Sequence, residues 1–210
     1  MSAPRIAVVD YGMGNRRSVE KALEHTGARV LVTGDHEEIG ASDGLVVPGV
    51  GAFPRAAESL RTRGLDEVIA NRLADGVPVL GICLGLQLLF ESSSELGGAT
   101  GLGLLPGAVT RLDALGAKLP HIGWSQVRWR RESRLTAGLP EACAFYHVHS
   151  FVPRPVAEAD VLGVADYGER FVTAVDREPL FGVQFHPEKS SAHGLRLLAN
   201  FTQICARVAA

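Results

Sequence analysis

The chain has 210 residues, a formal charge of −2 at neutral pH and 46% hydrophobic residues. That suits one packed domain and excludes disorder, a collagen-like repeat and the basic footprint of a nucleic-acid binder. The longest uncharged apolar stretch, Gly76 to Phe90, has 15 residues, against about 20 for a membrane helix, so neither nucleic acid nor a membrane is expected as a partner. Met1 to Asp10 lacks the basic start and apolar run of a secretion signal. Cys83, Cys143 and Cys205 are widely spaced with no C-x-x-C pair, which fits neither a disulfide framework nor a thiolate zinc site. A cytosolic protein without metal or cofactor is expected.

In chain order, Ile6 to Val9 reads as a short strand, and Ser18 to His25 carries Val19, Ala22 and Leu23 at helical spacing. The pattern repeats with strands at Arg29 to Val32, Leu45 to Val47 and Pro78 to Ile82, and helices at Ala56 to Leu60, Leu65 to Leu73 and Leu84 to Phe90. Alternating apolar strands and helices predict an α/β fold, an open mixed and mainly parallel sheet covered by helices on both faces. From about Gly107 the texture changes to alternating runs, so the second half is expected to be mostly strand until a closing helix over Leu195 to Val208. One domain over residues 1–210 accounts for the whole pattern.

Two glycine clusters fail the test for phosphate binding. Gly12-Met13-Gly14-Asn15 lies between strand and helix, but Arg17 occupies the third glycine position of a dinucleotide fingerprint. Gly101-Leu102-Gly103 precedes a strand, and no G-K-[ST] occurs.

Gly81-Ile82-Cys83-Leu84-Gly85 places a cysteine where an apolar strand meets an apolar helix, the logic of a nucleophile elbow with sulfur in place of oxygen. Small residues on both sides clear space for the turn, and the helix N-terminus below is expected to favour a thiolate. A second cluster, Gly182 to Glu188, ends a strand at His186; Pro187 is expected to keep the chain extended so that Glu188 projects to the same side and receives the imidazole N–H. Cys83, His186 and Glu188 then supply nucleophile, general base and orienting carboxylate. In Pro48-Gly49-Val50-Gly51-Ala52-Phe53 a glycine-rich turn can present backbone N–H groups to an oxyanion, and Gly51 with Leu84 is the expected pair. His147-x-His149 has no carboxylate or third histidine nearby in sequence, which argues against a metal.

G-I-C-L-G-L-Q at Gly81 to Gln87 and F-H-P-E at Phe185 to Glu188 together resemble the class I (triad) glutamine amidotransferases, and the likeness runs over most of the chain. Within that group, Asp10 to Asn15, Pro48 to Phe53, Pro120 to Trp124 and His186 to Ser190 are similar to the glutaminase subunits that serve imidazole glycerol phosphate synthases. The resemblance implies a flavodoxin-like fold and hydrolysis of L-glutamine through a thioester on Cys83. It implies substrate contacts from Gln87, His149 and Ser150, a Val50 peptide that reorients before the oxyanion is bound, and a heterodimer with a (β/α)8 cyclase subunit. In that heterodimer Asn15, Trp124 and Lys189 face the partner. Two positions depart from the group: it usually has an aromatic where His147 stands and Tyr where Phe151 stands. The rival readings are a glutaminase serving another synthase, against which Pro120 to Trp124 and His186 to Ser190 argue, and a regulatory subunit that has lost catalysis, against which the intact Cys83, His186 and Glu188 argue.

Overall fold

The computed structural model describes residues 3–208. Strands β1 (Arg5–Val9), β2 (Arg29–Thr33), β3 (Gly44–Gly49) and β4 (Val79–Cys83) run parallel, with helices α1 (Arg16–His25), α2 (His36–Gly40), α3 (Phe53–Thr62) and α4 (Leu65–Ala74) between them. After β4 come helix α5 (Leu84–Leu88) and strands β5 (Phe90–Ser93), β6 (Ala99–Thr100), β7 (Leu105–Arg111), β8 (His121–Trp129) and β9 (Ala142–His149). Strands β10 (Phe151–Pro155), β11 (Val161–Tyr167), β12 (Glu169–Arg177) and β13 (Leu180–Val183) follow, and helix α6 (Ser191–Val208) closes the chain.

The main sheet has the order β2-β1-β3-β4-β13-β12-β11-β8-β9. It is parallel from β2 to β13 and antiparallel from there to β9. Strand β13 returns from the far end of the sequence to lie beside β4, with Val183 opposite Ile82. A second sheet, β10-β7-β5-β6, packs beside the first.

The parallel strands read as unbroken apolar runs because helices cover both faces. Ile6 and Val8 pack with Val19 and Leu23 of α1 and with Leu198 and Phe201 of α6. Their neighbours Ala7 and Val9 point the other way, onto Leu60 of α3, Ile69 of α4 and Leu86 of α5. Each such fully buried Leu, Ile or Phe contributes about 1.5–3 kcal/mol. Helix α6 runs from Ser191, four residues before the start read from sequence.

The fold corrects the sequence reading at three places. The helix expected to reach Phe90 stops at Leu88, and Phe90 opens β5, paired in parallel with Leu105. A short buried apolar run fits helix or strand equally, so periodicity could not separate them. Helix α2 went unread because it has five residues, although Asp35 caps it by accepting from the Glu37 and Glu38 N–H groups at 2.9 Å each. The strand before His186 ends at Val183, and Pro187–Lys189 is a 3-10 turn, not extended chain.

Candidate active site

The carboxyl ends of the parallel strands gather the chemistry at one edge of the sheet, the usual ligand-binding edge of such folds. Tyr11 follows β1, Val50 and Gly51 follow β3, Cys83 ends β4, and Gln184 to His186 follow β13. Register sets Gly49 opposite Cys83 and Ile82 opposite Val183, so four distant segments meet there.

Cys83 has φ 55° and ψ −108°, a strained conformation for a residue with a side chain. Its neighbours show why the elbow needs glycine. A Cβ on Gly85 would overlap the Val47 carbonyl oxygen, and one on Gly81 would sit 2.7 Å from the Leu86 backbone nitrogen. The sulfur lies 3.8 Å from the Val148 carbonyl oxygen, to which the thiol can donate, and 3.7 Å from Gln184 Nε2, whose N–H points to it. An N–H aimed at sulfur complements a thiolate. Helix α5 has only five residues, so the macrodipole expected beneath the sulfur is smaller than that of a long helix.

His186 is held from several sides. Its backbone N–H donates to the Tyr146 carbonyl at 2.9 Å, and the Ser190 hydroxyl donates to its carbonyl at 2.6 Å. The single turn at Pro187 brings Glu188 round so that Oε1 accepts from imidazole Nδ1 at 2.8 Å. The Glu188 side chain has no solvent exposure. The same Oε1 accepts from Asn15 Nδ2 at 2.6 Å, and Oε2 has no partner. Burial works against a charged His186 ring, but the Cys83 sulfur and the Glu188 carboxylate overcome it and push the pKa up to about 9. An imidazolium beside sulfur is thus the favoured resting arrangement at neutral pH.

These groups border a cavity of about 250 Å³. Cys83, His186, Val50, Gly51, Leu84, Gln87, His149 and Ser150 all line it, together with Lys189. Glu188 stands behind His186 and Asn15 behind Glu188. Trp124 lies apart on the outer face of β8, 55% exposed, beside the half-buried Tyr146. A larger groove, about 590 Å³, lies along Trp129 to Glu141 and holds none of these groups. Its arginines are occupied, Arg130 with Glu158 and Arg131 with Asp176.

A nucleophile, a base and a carboxylate in one cleft occur on unrelated folds, so relatives decide the lineage. Residues 7–205 match the model of the family glutamine amidotransferase class-I. The chain belongs to the class I glutamine amidotransferases. It is 52% identical over 199 residues to imidazole glycerol phosphate synthase subunit HisH of Moorella thermoacetica, covering 95% of this chain and 94% of that protein. The HisH subunit of Aquifex aeolicus is 50% identical over 198 residues, with 94% and 95% covered. Among class I amidotransferases the chain therefore falls with the HisH subunits. A chain of the PurLQS structure from Thermotoga maritima shares the fold at TM-score 0.77 and 20% identity, covering 96% of this chain and 99% of that one.

Sequence reasoning missed several parts of this amidotransferase site. Gln184 is fully buried and touches both the sulfur and Gln87. It shares the parity of His186 in the same motif, a signal that was legible. Glu95 lines the cavity and uses Oε2 to accept from the Phe53 N–H at 2.8 Å, leaving Oε1 for a ligand; no spacing marks it in the sequence. Gln87 donates through Nε2 to the Phe151 carbonyl and to Gln184 Oε1, both at 3.0 Å, so only its oxygen is left and it can serve a ligand as an acceptor alone.

The two departures from the group's pattern have separate settings. Phe151 borders the cavity, and its carbonyl is taken by Gln87. His147 is fully buried; its Nδ1–H donates to the Phe145 carbonyl at 3.0 Å, which makes Nε2 the acceptor from the Thr173 hydroxyl at 2.8 Å. Burial, reinforced by His121, lowers the His147 pKa to about 3, so the ring is neutral.

Proposed function

We propose that this chain, acting as one domain over residues 1–210, hydrolyses L-glutamine to glutamate and ammonia and passes the ammonia to the cyclase subunit of imidazole glycerol phosphate synthase in histidine biosynthesis. The observation that carries the reading is the convergence of Cys83, His186 and Glu188 at one cavity, in a chain about half identical to HisH subunits.

In this mechanism the Cys83 thiolate attacks the carboxamide carbon, and the Gly51 and Leu84 N–H groups meet the oxyanion as the tetrahedral adduct forms. The His186 imidazolium gives its proton to the departing nitrogen, so ammonia leaves and a γ-glutamyl thioester remains. Neutral His186 then takes a proton from water as the water oxygen attacks, and collapse of the second adduct frees glutamate and thiolate. Glu188 keeps Nδ1 protonated and the ring in place through both halves. Before turnover the Val50 peptide reorients, which makes glutamine hydrolysis depend on the partner.

Bulk water would protonate the ammonia, so it is released into a covered path. The surface to be covered takes in Ile122 and Trp124 on the outer face of β8, 60% and 55% exposed, and Val50, 37% exposed, and exposed Lys189 on the cavity. Exposed large apolar side chains in one region mark a docking site. The partnership is a heterodimer in the cytoplasm; no helix of the described residues is long and apolar enough to cross a membrane. Asn15 acts in it from within the site, through Glu188.

The test is Cys83→Ala in the assembled complex. Synthesis from glutamine should be abolished and synthesis from added ammonia kept. Loss of both activities, or retention of both, would contradict the assignment.

A further inference from the structure

Tyr11, just past β1, is a buried phenol that the mechanism above does not use. It is 1% exposed and belongs to the apolar layer that also holds Val47, Phe53 and Leu84. Its hydroxyl donates to the Pro48 carbonyl at 2.6 Å. From behind, the Ser59 hydroxyl of α3 donates to the Tyr11 backbone carbonyl. Tyr11 is thus tied both to the residue that opens the glycine-rich turn and to the helix that follows it.

The register explains why a side chain is needed there. Against β4, strand β3 stays paired as far as Gly49 opposite Cys83. Against β1 its pairing stops at Val46 opposite Val8. Pro48 and Gly49 therefore lie beyond the β1 ladder, and the Tyr11 hydroxyl reaches Pro48 from the chain that continues β1. A Cβ on Gly49 would run into the Tyr11 hydroxyl oxygen and would sit 3.2 Å from Leu84 Cβ, so only glycine lets the phenol and the start of α5 approach so closely. Between the held Pro48 carbonyl and the Gly51 N–H lie only Gly49 and Val50. A phenol has one hydrogen, and here Pro48 takes it. Burial, with the Cys83 sulfur nearby, pushes the Tyr11 pKa far above its ordinary value of 10, so the hydrogen stays in place. It is not free for the sulfur, and any effect on catalysis runs through the turn.

We propose that Tyr11 is a positioning residue for glutamine hydrolysis: its hydroxyl fixes the root of the oxyanion turn, so that the Val50 peptide reorients about a held point and brings the Gly51 N–H onto the oxyanion. The inference rests on the glutaminase reading above and deepens it by naming what anchors the moving part. An oxyanion donor accelerates the reaction only if it is already aimed where charge develops. With Pro48 held, the turn has two residues in which to move. Without the hydroxyl the Pro48 carbonyl loses its buried partner, and the turn gains orientations that point the Gly51 N–H elsewhere. Attack on the carboxamide then slows, while the groups that hold glutamine elsewhere in the cavity are untouched.

The experiment compares two reactions of Cys83 in the assembled complex: glutamine hydrolysis, which passes through an oxyanion, and alkylation by iodoacetamide, in which the thiolate displaces iodide and no oxyanion forms. Tyr11→Phe keeps the ring and removes only the hydroxyl. It should lower kcat for glutamine about 10-fold, less than the roughly 100- to 1,000-fold cost of deleting an oxyanion donor outright. KM for glutamine and the rate of Cys83 alkylation, read by peptide mass, should both stay within about 2-fold of wild type. Ser59→Ala, which frees the Tyr11 backbone, should lower kcat in the same direction by about 3-fold with alkylation again unchanged, and it decides the matter alone if Tyr11→Phe does not fold. Equal losses in hydrolysis and alkylation would assign the hydroxyl a general structural role and overturn the proposal, as would an unchanged kcat. Either result leaves the glutaminase reading intact so long as the wild-type complex consumes glutamine. A wild-type complex that does not consume it contradicts that reading, and this inference with it.

Discussion

Asn15 and Glu188, 173 positions apart in the chain, are joined by a 2.6 Å hydrogen bond on the carboxylate oxygen that also holds His186. Asn15 stands just before α1 with φ 72°, and its side chain makes no capping bond to the helix. Its amide is spent on the carboxylate. The loop after β1, expected from sequence to face a partner, thus reaches His186 through two hydrogen bonds, by way of Glu188.

Removing that amide should lower catalysis more than binding. Asn15→Gly keeps the left-handed backbone and deletes the donor, so kcat for glutamine is expected to fall about 10- to 100-fold, the range for a hydrogen bond to a charged group. KM should change little. Steady-state kinetics of the complex checks this, and an unchanged kcat would remove Asn15 from the account.

Stability should depend on pH in two opposite limbs. His186 is raised to about 9 in the fold from an ordinary value near 6.5, so its contribution is complete below about pH 6.5 and is lost as pH rises through 9. The amount is on the order of 3 kcal/mol at about 1.4 per pKa unit. His147, lowered to about 3, works the other way: the unfolded chain gains a proton below about pH 6.5 and the fold does not, so stability falls toward pH 3. Urea midpoints across pH should therefore peak between the limbs. Glu188→Gln should flatten the alkaline limb and His147→Phe the acid one; an alkaline limb that Glu188→Gln leaves unaltered would contradict the His186 assignment.

The glycines of the elbow should differ sharply from glycines in open turns. Gly85→Ala would drive its methyl group into the Val47 carbonyl and is expected to abolish activity and to prevent or severely destabilise folding. At Gly76, φ is +82° but nothing lies within 4 Å of a new Cβ, so Gly76→Ala should cost only about 1 kcal/mol, from backbone strain. Thermal melts of the two variants test this, and similar losses would show that close packing at Cys83 is not what requires glycine.

Much of the fold was legible because buried parallel strands and their helices differ in length and period. Ile6 to Val9 and Ser18 to His25 lie within β1 and α1. Phe90 was misread because it is the buried first residue of a four-residue strand that begins two residues after the end of a five-residue helix, and so short a pair of elements has no period of its own. In the site, Cys83 and His186 were marked by motifs at strand ends, where the chain must turn sharply or stop. Glu95 and the Val148 carbonyl were not, because they reach the cavity through tertiary folding alone. His147 showed in the sequence as a departure from an aromatic and as half of a His-x-His pair. Its role as a buried neutral ring required Phe145 and Thr173 to be seen beside it.

The proposed mechanism makes Cys83 the nucleophile, activated by His186 and Glu188. The most direct measurement is intact-mass analysis after exposing the assembled complex to a glutamine-mimicking electrophile. One adduct on Cys83 is expected, formed much more slowly in Glu188→Ala and absent in Cys83→Ala. Labelling of Cys143 or Cys205 instead, or no adduct in a complex that still consumes glutamine, would contradict the account.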